Sequence, residues 1–328
     1  MSRTDRPANL TDVARAAGVS LTTASHSFSG HRPVAAATRE RVLRAAAELG
    51  FHRSGGTALI AILMRPPEVL PGFIFGTSSF AVLAGSIGVA CLRRGVSTVM
   101  STTVNDLLGT VRRPDGCVVV APNYGDEVLA ELVHMDVPTV SFDPDPGLRS
   151  FRWWLAVNYQ ESVASLIEHI QESGARRVCA VVGQTDNDYR RAILAAYREK
   201  TRGQIGGAMV RVVDNSLGQQ GAESCVAELL RSDPRPDAVV TSSSVFARGA
   251  LSAVLAAGLM APDDCRIATC TDGPAAEFAP IPISALRLDA NKVAERLVDL
   301  LLERMDGADF PAAKEQVMRQ QLVQRAST

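Results

Sequence analysis

From about residue 57 onward, short apolar runs alternate with amphipathic segments, and this pattern restricts the fold more than any other feature. The runs TALIAILM, DGCVVVAP and DAVVTSS are typical of buried strands, whereas ESVASLIEHIQESG and ARGALSAVLAAGL are typical of helices. Continuous apolar strands that alternate with helices indicate parallel sheets covered on both faces. About 270 residues of such units suffice for an α/β barrel or for two doubly wound lobes.

The first fifty residues have a different pattern, in which short helices are separated by a glycine turn. The apolar positions of the first helix follow helical spacing and are Leu10, Val13, Ala14 and Ala17. Gly18 can end this helix in a left-handed conformation, and Ser20 can cap the next one. The second helix is predicted to bury Ala24 and Phe28. A third helix is predicted over residues 37–49, with an apolar stripe of Val42, Ala45, Ala46 and Leu49. This arrangement is a helix-turn-helix pattern.

The two parts of the chain differ in charge. Residues 1–53 contain eight arginines and four acidic residues, which gives a net charge of +4, and the remainder of the chain carries −5. A basic helix-turn-helix on an acidic body is typical of a protein that presents one end to phosphates.

Two parts of the sequence resemble LacI-type transcriptional regulators. LTDVARAAGVSLTTAS followed by TRERVLRAAAELGF is similar to their N-terminal headpiece, over Asn9–Phe51. VPTVSFD, VNYQESVASLIEHIQESGARRVCAVVG and the ending LVQRAST are similar to their body. The resemblance implies a three-helix helix-turn-helix headpiece followed by an α/β, two-lobed, periplasmic-binding-protein-like (type I) domain. It also implies a homodimeric repressor that binds a near-palindromic double-stranded DNA operator, with possible control by a small-molecule effector. The alternative function is a cytoplasmic solute-sensing protein of the same fold with a vestigial headpiece.

The resemblance also sets the expected domain boundaries. The headpiece is expected over residues 1–53, a shortened linker over residues 54–57 and the two-lobed effector-binding and dimerisation domain over residues 58–328. Lobe 1 is expected to combine residues 58–157 with 289–316, and lobe 2 to combine residues 158–288 with 317–328. The chain would then cross between the lobes near Val157, Leu288 and Val317.

The second helix is expected to enter the major groove of DNA with its first turn at the base edges. Leu21, Thr22 and His26 are the candidates for base contacts, and Leu21 offers only apolar contact, for instance to a thymine methyl group. The candidates for phosphate contacts are Asn9, Thr11, Ser20, Thr23, Ser25 and Thr38. The further positions expected at the DNA surface are Leu10, Ser29 and Val34.

The sequence departs from the family pattern at two places near the headpiece. Ala35 stands where a capping serine is usual in the family, and this change should weaken the start of the third helix by about 1 kcal/mol. The segment HRSGG alone separates Phe51 from Thr57, which is too short for the family's hinge helix and its minor-groove wedge. The operator is therefore expected to be bound without that wedge.

The expected effector site lies between the lobes, at the carboxyl ends of the strands. Its candidate residues are Arg65, Asp143, Arg190, Arg191, Ser243, Ser244, Thr271 and Asp272. Most of the paired carboxylates and amides by which family members bind sugars are replaced here. The arginines and serines favour an anionic or smaller ligand, although packing roles and the absence of any effector are alternatives.

Several classes of protein are disfavoured. No Gly-rich phosphate loop, metal-ligand spacing or nucleophile–histidine–acid set is visible, so neither an enzyme nor a cofactor or metal is expected. Six cysteines are scattered without CxxC spacing, and we expect them to be reduced and buried. No apolar run is long enough for a membrane span, and MSRTDRPANL lacks the core of a signal peptide, so a cytoplasmic location is predicted.

Overall fold

A computed structural model describes residues 9–29, 34–49, 58–65, 79–108, 114–204, 206–306 and 316–328. These residues form two compact units. The smaller unit, the headpiece, comprises the chain up to Ala58 together with a short segment that begins at Asp306. The larger unit, the body, starts at Leu59 and contains the rest of the chain. The predicted linker over residues 54–57, and with it the missing hinge helix, lies outside the described residues.

The headpiece contains three helices around a small apolar core. They are α1 (Leu10–Ala17), α2 (Leu21–Ser29) and α3 (Ala36–Glu48). The buried side chains that form the core are Val13, Ala14, Ala17, Ala24, Val42, Ala45 and Ala46, and Leu10, Val19 and Phe28 pack against them half-buried. Leu49, which the sequence assigns to the buried stripe, is instead 41% exposed because it follows the last residue of α3.

The body begins with a six-stranded parallel sheet, which with its helices forms lobe 1. Its strands are β1 (Leu59–Met64), β2 (Ser97–Ser101), β3 (Gly116–Val120), β4 (Thr139–Phe142), β5 (Trp154–Val157) and β11 (Gln316–Met318), in the spatial order β2-β1-β3-β4-β5-β11. The helices of this lobe are α4 (Ser79–Arg93), α5 (Val104–Leu108), α6 (Glu127–His134) and α12 (Ala290–Met305). Helix α12 packs on α4, and Arg94 at the end of α4 binds Glu295 and Asp299.

A second six-stranded sheet forms lobe 2 with the same order of its first five strands. Its strands are β6 (Val178–Gly183), β7 (Met209–Val213), β8 (Ala238–Thr241), β9 (Arg266–Thr269), β10 (Ser284–Arg287) and β12 (Gln321–Val323), in the order β7-β6-β8-β9-β10-β12. Strand β12 runs antiparallel to β10. The helices are α7 (Tyr159–Glu172), α8 (Asp188–Lys200), α9 (Gly218–Leu230), α10 (Ser244–Ala256) and α11 (Pro274–Glu277). Separate apolar clusters cover the two faces of this sheet, as doubly wound folds require.

The chain passes between the sheets three times among the described residues. The first passage follows β5 at Val157, and the second follows β10 at Arg287. The third falls at residues 319–320, because Val317 pairs with Ala156 inside the first sheet. The crossing expected near Val317 thus follows Met318, because a three-residue edge strand continues through that residue.

Two further sequence expectations concern the body. No helix among the described residues has the length and apolar character needed to cross a bilayer. The six cysteines are all free thiols; Cys225 is half-buried and the other five are buried within the lobes. Burial raises the pKa of the Cys117 thiol to about 12, so this thiol is poorly suited to react as a thiolate.

Candidate nucleic-acid interface and interlobe crevice

Local hydrogen bonds fix the helix-turn-helix. The Asn9 side chain accepts the amide of Asp12 at 3.0 Å, and the Asp12 carboxylate accepts the amide of Asn9 at 3.0 Å. Gly18 has φ +62°, so the glycine turn is confirmed. Ser20 Oγ accepts the amide of Thr23 at 3.1 Å, which confirms Ser20 as the cap of α2. Asn9 therefore acts as a helix cap, a role that the sequence analysis did not assign to it.

The predicted DNA-contacting residues differ in exposure. The exposed members of the set are Thr11, Ser20, Leu21 and Thr22, and the half-buried members are Asn9, Leu10, Thr23, His26, Val34 and Thr38. Leu21 is 47% exposed although it is a large apolar residue. The side chain of Ser29 lies outside the described part of the chain. The first turn of α2 therefore presents an apolar and a hydroxyl side chain next to each other.

The structure corrects the prediction that Ser25 contacts phosphate, because this side chain does not lie on the outer face of α2. Ser25 is only 3% exposed, and its hydroxyl donates to Asp306 Oδ1 at 2.6 Å within the headpiece unit. Ser27, two residues further, is also buried and donates to the carbonyl of Thr23 at 2.8 Å. Because α2 buries two serines beside Ala24, its outer face is narrower than helical periodicity alone suggests.

Two arginines of α3 hold the other helices of the headpiece. Arg39 Nε donates to the carbonyl of Ser27 at 3.0 Å, and Arg41 Nε donates to the carbonyl of Ala17 at 3.0 Å. Both acceptors lie at the ends of helices, where carbonyls lack intrahelical partners. In the sequence both arginines belong to the basic excess of the headpiece, and Arg39 is in addition a predicted determinant of DNA binding. At the start of α3, the amides of Thr38 and Arg39 bond to the carbonyl of Ala35 at 2.9 and 3.0 Å.

The topology of the body places the reversals of strand order of both sheets at the junction of the lobes, where a ligand crevice is expected. In each sheet the first strand lies between the second and the third, so the strand order reverses after β1 and β3 and after β6 and β8. At these carboxyl ends, Asn123 forms an isolated antiparallel bridge with Asn187, and the Tyr124 amide donates to the carbonyl of Asp186 at 2.8 Å. We call the region around these contacts the interlobe crevice.

The arginines predicted in the crevice are already engaged by protein groups. Arg65 Nε donates to Asp126 Oδ2 at 2.9 Å, and its Nη1 donates to the carbonyl of Thr102 at 3.1 Å. Arg191 forms a two-pronged pair with Asp186, at 2.8 and 2.7 Å, and lies 4.4 Å from the ring centroid of Tyr124. These contacts neutralise both guanidinium groups, and they argue against the anionic ligand that the sequence favours.

Arg190 and Ser243 also have local roles. Arg190 Nη1 donates to the carbonyl of Gln184 at 3.0 Å. Ser243 caps α10, since its Oγ accepts the amide of Phe246 at 3.2 Å, and Ser244 is buried in the first turn of that helix. The serine pair therefore starts a helix and is not held free for a ligand.

Asp272 is bound by two arginines that the sequence analysis did not associate with it. Arg325 donates to both carboxylate oxygens at 2.9 Å, and Arg287 Nε donates to Oδ2 at 2.7 Å. Burial alone would raise the pKa of Asp272, but the hydrogen bonds from Arg325 and Arg287 bring it below its ordinary value. The charged Asp272 carboxylate thus binds Arg325 and thereby fixes the segment that follows β12.

A chain of polar contacts runs through the crevice from Asp143. The Tyr159 hydroxyl donates to Asp143 Oδ2 at 2.8 Å, and the Tyr159 ring lies edge-on to that of Tyr189 with centroids 4.7 Å apart. The Tyr189 hydroxyl donates to the carbonyl of Ser242 at 2.6 Å and also contacts Thr271 Oγ1. Asp143 and Thr271 are thereby joined in one network, whereas Arg65 and Asp272 have partners outside it. Neither tyrosine is among the residues predicted for the site from the sequence, because no motif marks them.

The electrostatic state of Asp143 is unusual. Asp143 is 3% exposed and has φ +69°, a backbone conformation that non-glycine residues rarely adopt. Burial raises the pKa of Asp143 well above its ordinary range, the Tyr159 hydroxyl opposes this rise, and the charge of Asp188 adds to it. Burial also raises the pKa of Asp188, with Arg191 acting in the opposite direction. The charge of one carboxylate therefore acts on the other where burial already disfavours ionisation.

Replacement of Asp143 by asparagine is expected to stabilise the protein at neutral pH. Because the folded pKa of Asp143 is raised, its contribution to stability is fully present below its ordinary pKa of 3.8 and is lost as the pH rises through the folded value. The asparagine side chain cannot ionise, so the advantage of Asp143→Asn should grow between pH 4 and 7 to the order of 1 kcal/mol. Urea unfolding at several pH values measures this difference.

Asp145 provides the matched control for that experiment. It is equally buried, but its carboxylate accepts the amides of Gly125, Asp126 and Gly147 at 2.7–2.8 Å. Asp145→Asn should therefore destabilise the protein at pH 7, because an amide group cannot accept all three bonds. Equal effects of the two substitutions at pH 7 would contradict the expectation for Asp143.

Comparisons with known families agree with the arrangement of the chain. Residues 9–54 match the family described as bacterial regulatory proteins, lacI family, and residues 167–328 match the periplasmic binding protein-like domain. The HTH-type transcriptional repressor PurR of Glaesserella parasuis serovar 5 (strain SH0165) is 26% identical over 317 residues, covering 91% of this chain and 90% of the relative. PurR of Pasteurella multocida (strain Pm70) is 27% identical and covers 91% and 92% of the two chains.

Solved structures share the fold over almost the whole chain. The transcriptional regulator CelR in complex with cellobiose superposes with a TM-score of 0.70 at 23% identity, covering 98% of this chain and all of the other. The Lac repressor dimer bound to operator and the anti-inducer ONPF gives a TM-score of 0.69 at 22% identity, covering 98% and 99%. The predicted resemblance and the predicted fold class are thereby confirmed.

Proposed function

The chain belongs to the lacI family of bacterial regulatory proteins, and on that premise we propose that it represses transcription by binding a near-palindromic operator as a homodimer. Its relatives over nine-tenths of the chain are named transcriptional repressors. Residues 1–53 supply the basic charge that phosphates attract, and the acidic body is not attracted to DNA. The proposed role is regulatory, not catalytic, and its place is the cytoplasm, where operator DNA is accessible.

The observation that carries this proposal is the exposed first turn of α2. Leu21 and Thr22 project from a turn that Ser20 and Gly18 hold in place, so their positions depend little on flexible chain. Leu21 suits the methyl group of thymine, and the Thr22 hydroxyl suits a base edge. His26, one turn further, is the third proposed base contact. Thr11, Thr23 and Thr38 are proposed to bind phosphates.

Dimerisation and ligand control extend the proposal to the body. A single headpiece of about 50 residues contacts only one half-site, so two copies are needed for specific binding at physiological salt. The Lac repressor neighbour is described as a dimer on its operator, which supports this assembly for the present chain. The two-lobed body with a crevice at the strand ends supports control by a small molecule.

Thr22→Ala is expected to weaken operator binding about tenfold and to relax the base preference at one position of each half-site. Loss of a base contact has this signature, whereas loss of a phosphate contact weakens all sequences equally. Fragments selected from genomic DNA by the full chain provide the operator. Fluorescence anisotropy at fixed salt then gives the affinity for that operator and for variants with single base-pair changes.

Two matched substitutions complete this experiment. Thr11→Ala removes an exposed hydroxyl of α1 and should weaken binding to every fragment by a similar factor. Ser224→Ala, on the exposed face of α9, should leave DNA affinity unchanged. If selection enriches no sequence, or if Thr22→Ala behaves like Ser224→Ala, the operator-reading role is wrong and the solute-sensing alternative gains support.

A further inference from the structure

We propose that the interlobe crevice binds a small organic ammonium ion, held by the carboxylates of Asp143 and Asp188 and by the rings of Tyr159 and Tyr189. This inference rests on the proposed function, because it names the chemical class of effector that the body would sense. It replaces the anionic ligand that the sequence favours. Arg65 and Arg191 are paired with Asp126 and Asp186, whereas several acceptor groups remain available.

The first observation is a pair of acidic side chains without an ion-pair partner, although the charge of Arg191 acts on Asp188. Asp143 and Asp188 form no ion pair with the residues that the structure describes, and the charge of Asp188 raises the cost of charging Asp143. The nearby guanidinium groups of Arg65 and Arg191 are bound to Asp126 and Asp186. A buried carboxylate without a counter-ion is costly, so a cationic ligand would gain more here than a neutral one.

The second observation is a set of buried acceptors without donors, which stand beside one buried donor without an acceptor, Arg190 Nε. Within the described chain, Asp143 Oδ1, Asn123 Oδ1 and Gln320 Oε1 are buried and have no hydrogen-bond partner. Asn123 lies at the bridge to Asn187, and Gln320 lies on the third connection between the lobes. Buried acceptors are normally satisfied. An ammonium group supplies three donors and no acceptor, which matches what these positions lack.

The third observation is the aromatic wall beside Asp143. The rings of Tyr159 and Tyr189 meet edge-on at 4.7 Å, and Tyr159 also bonds to the carboxylate. Aromatic faces attract organic cations, most strongly where water is excluded. The same crevice already shows this preference, since the Arg191 guanidinium stacks over Tyr124 at 4.4 Å. Carboxylates combined with tyrosine rings select an organic cation over a sugar or an anion.

A metal ion is a poorer fit to the same groups. Among the described residues no three His, Cys, Asp or Glu side chains are arranged to hold a metal. Asp143 and Asp188 supply only two carboxylates, and aromatic rings do not satisfy the coordination of hard cations. Ligand entry would require the lobes to separate at the contact between the Tyr124 amide and the Asp186 carbonyl.

Calorimetric titration of the full chain at pH 7 with 1,4-diaminobutane and with methylammonium tests the inference. We expect saturable binding of at least one amine, with no binding of butyrate or glucose at the same concentrations. Asp143→Asn and Asp188→Asn should each weaken binding at least about tenfold, because each removes one charge from the pair. Glu168→Gln, an exposed carboxylate paired with Lys200 on the outer side of lobe 2, should leave binding unchanged.

Proton release provides an independent readout. Asp143 faces Tyr159, Tyr189 and Asp188, and Asp188 faces Arg191. A cation that binds ionised carboxylates should displace protons that these groups carry, so the measured heat should depend on the ionisation enthalpy of the buffer in wild type and less so in Asp143→Asn. Heat that does not depend on the buffer, together with equal affinity of Asp143→Asn, would overturn the inference.

Operator binding, measured with the same protein preparations, tests the repressor function separately from the ammonium site. If the protein binds its operator but takes up neither amine, the ammonium site is wrong while the repressor function stands. If the amines bind and no operator is found, the site stands and the repressor function fails. Binding of butyrate or glucose that Asp143→Asn weakens would assign the crevice to another ligand class and overturn the ammonium site.

Discussion

Gly249→Ala is expected to destabilise lobe 2 by about 3 kcal/mol, because the added methyl group would overlap the backbone of a neighbouring helix. Gly249 lies in α10, where a Cβ atom would stand 2.2 Å from the carbonyl oxygen of Gln219 and 2.9 Å from the amide nitrogen of Glu223 in α9. Both atoms are backbone atoms, so a side-chain rotation cannot relieve the overlap. The helices must move apart, and the buried contacts between them would be lost. Chemical denaturation followed by circular dichroism measures the change.

Gly85→Ala is the matched substitution for this experiment. Gly85 also lies inside a helix, α4, but a Cβ atom there would meet nothing within 4 Å. Because alanine restricts the unfolded chain and favours helix, Gly85→Ala should raise stability by about 0.5–1 kcal/mol. Similar effects of the two substitutions would show that the close approach of α9 and α10 at Gly249 does not limit the packing of lobe 2.

Asp272→Asn is expected to cost about 3 kcal/mol, because it leaves the guanidinium of Arg325 buried with only one carbonyl acceptor. The side chains of Asp272 and Arg325 are 8% and 10% exposed, and their two hydrogen bonds join β9 to the chain end that follows β12. Arg287 loses the same partner but is half-exposed, so water can replace that contact. Thermal unfolding at pH 7 measures the loss.

The pH dependence distinguishes this ion pair from simple packing. The folded pKa of Asp272 lies below its unfolded value, so its stabilising contribution is present above the unfolded value and disappears as the pH falls through the folded one. The gap between wild type and Asp272→Asn should therefore narrow below about pH 4. Asp186→Asn, which breaks the exposed pair with Arg191, should cost at most about 0.5 kcal/mol. A gap for Asp272→Asn that stays constant down to acid pH would contradict the ion-pair explanation.

Elements with strong local signals could be predicted from the sequence. Gly18 and Ser20 define the turn of the headpiece because the left-handed conformation and the helix cap are properties of single residues. The long apolar strands and amphipathic helices were likewise predicted within a few residues. In contrast, β5 has four residues and β12 has three, and both form because a neighbouring strand offers free backbone groups. Such short strands have no periodicity that a sequence could reveal.

The side-chain partners at the candidate site depend on contacts between distant segments. Arg65 and Asp126 are 61 residues apart, and Asp272 and Arg325 are 53 apart. From the sequence, Arg65 is simply an arginine after a strand, so an anion site was a reasonable interpretation. Only the folded structure shows that the Asp126 carboxylate already binds the Arg65 guanidinium, as an anionic ligand would. The tyrosines beside Asp143 were missed for the same reason.

The order of segments along the chain has a consequence for protein synthesis. All three helices of the headpiece come from one continuous stretch, whereas each lobe takes its last strand from residues 316–323. During translation, the three headpiece helices therefore emerge from the ribosome long before either lobe can be completed. They can fold first, since domains fold as units from the N-terminus. A nonsense mutation shortly before residue 316 would leave the three headpiece helices intact. Each lobe would lack its last strand. Such a product would keep the headpiece helices, but its incomplete body would be exposed to proteolysis.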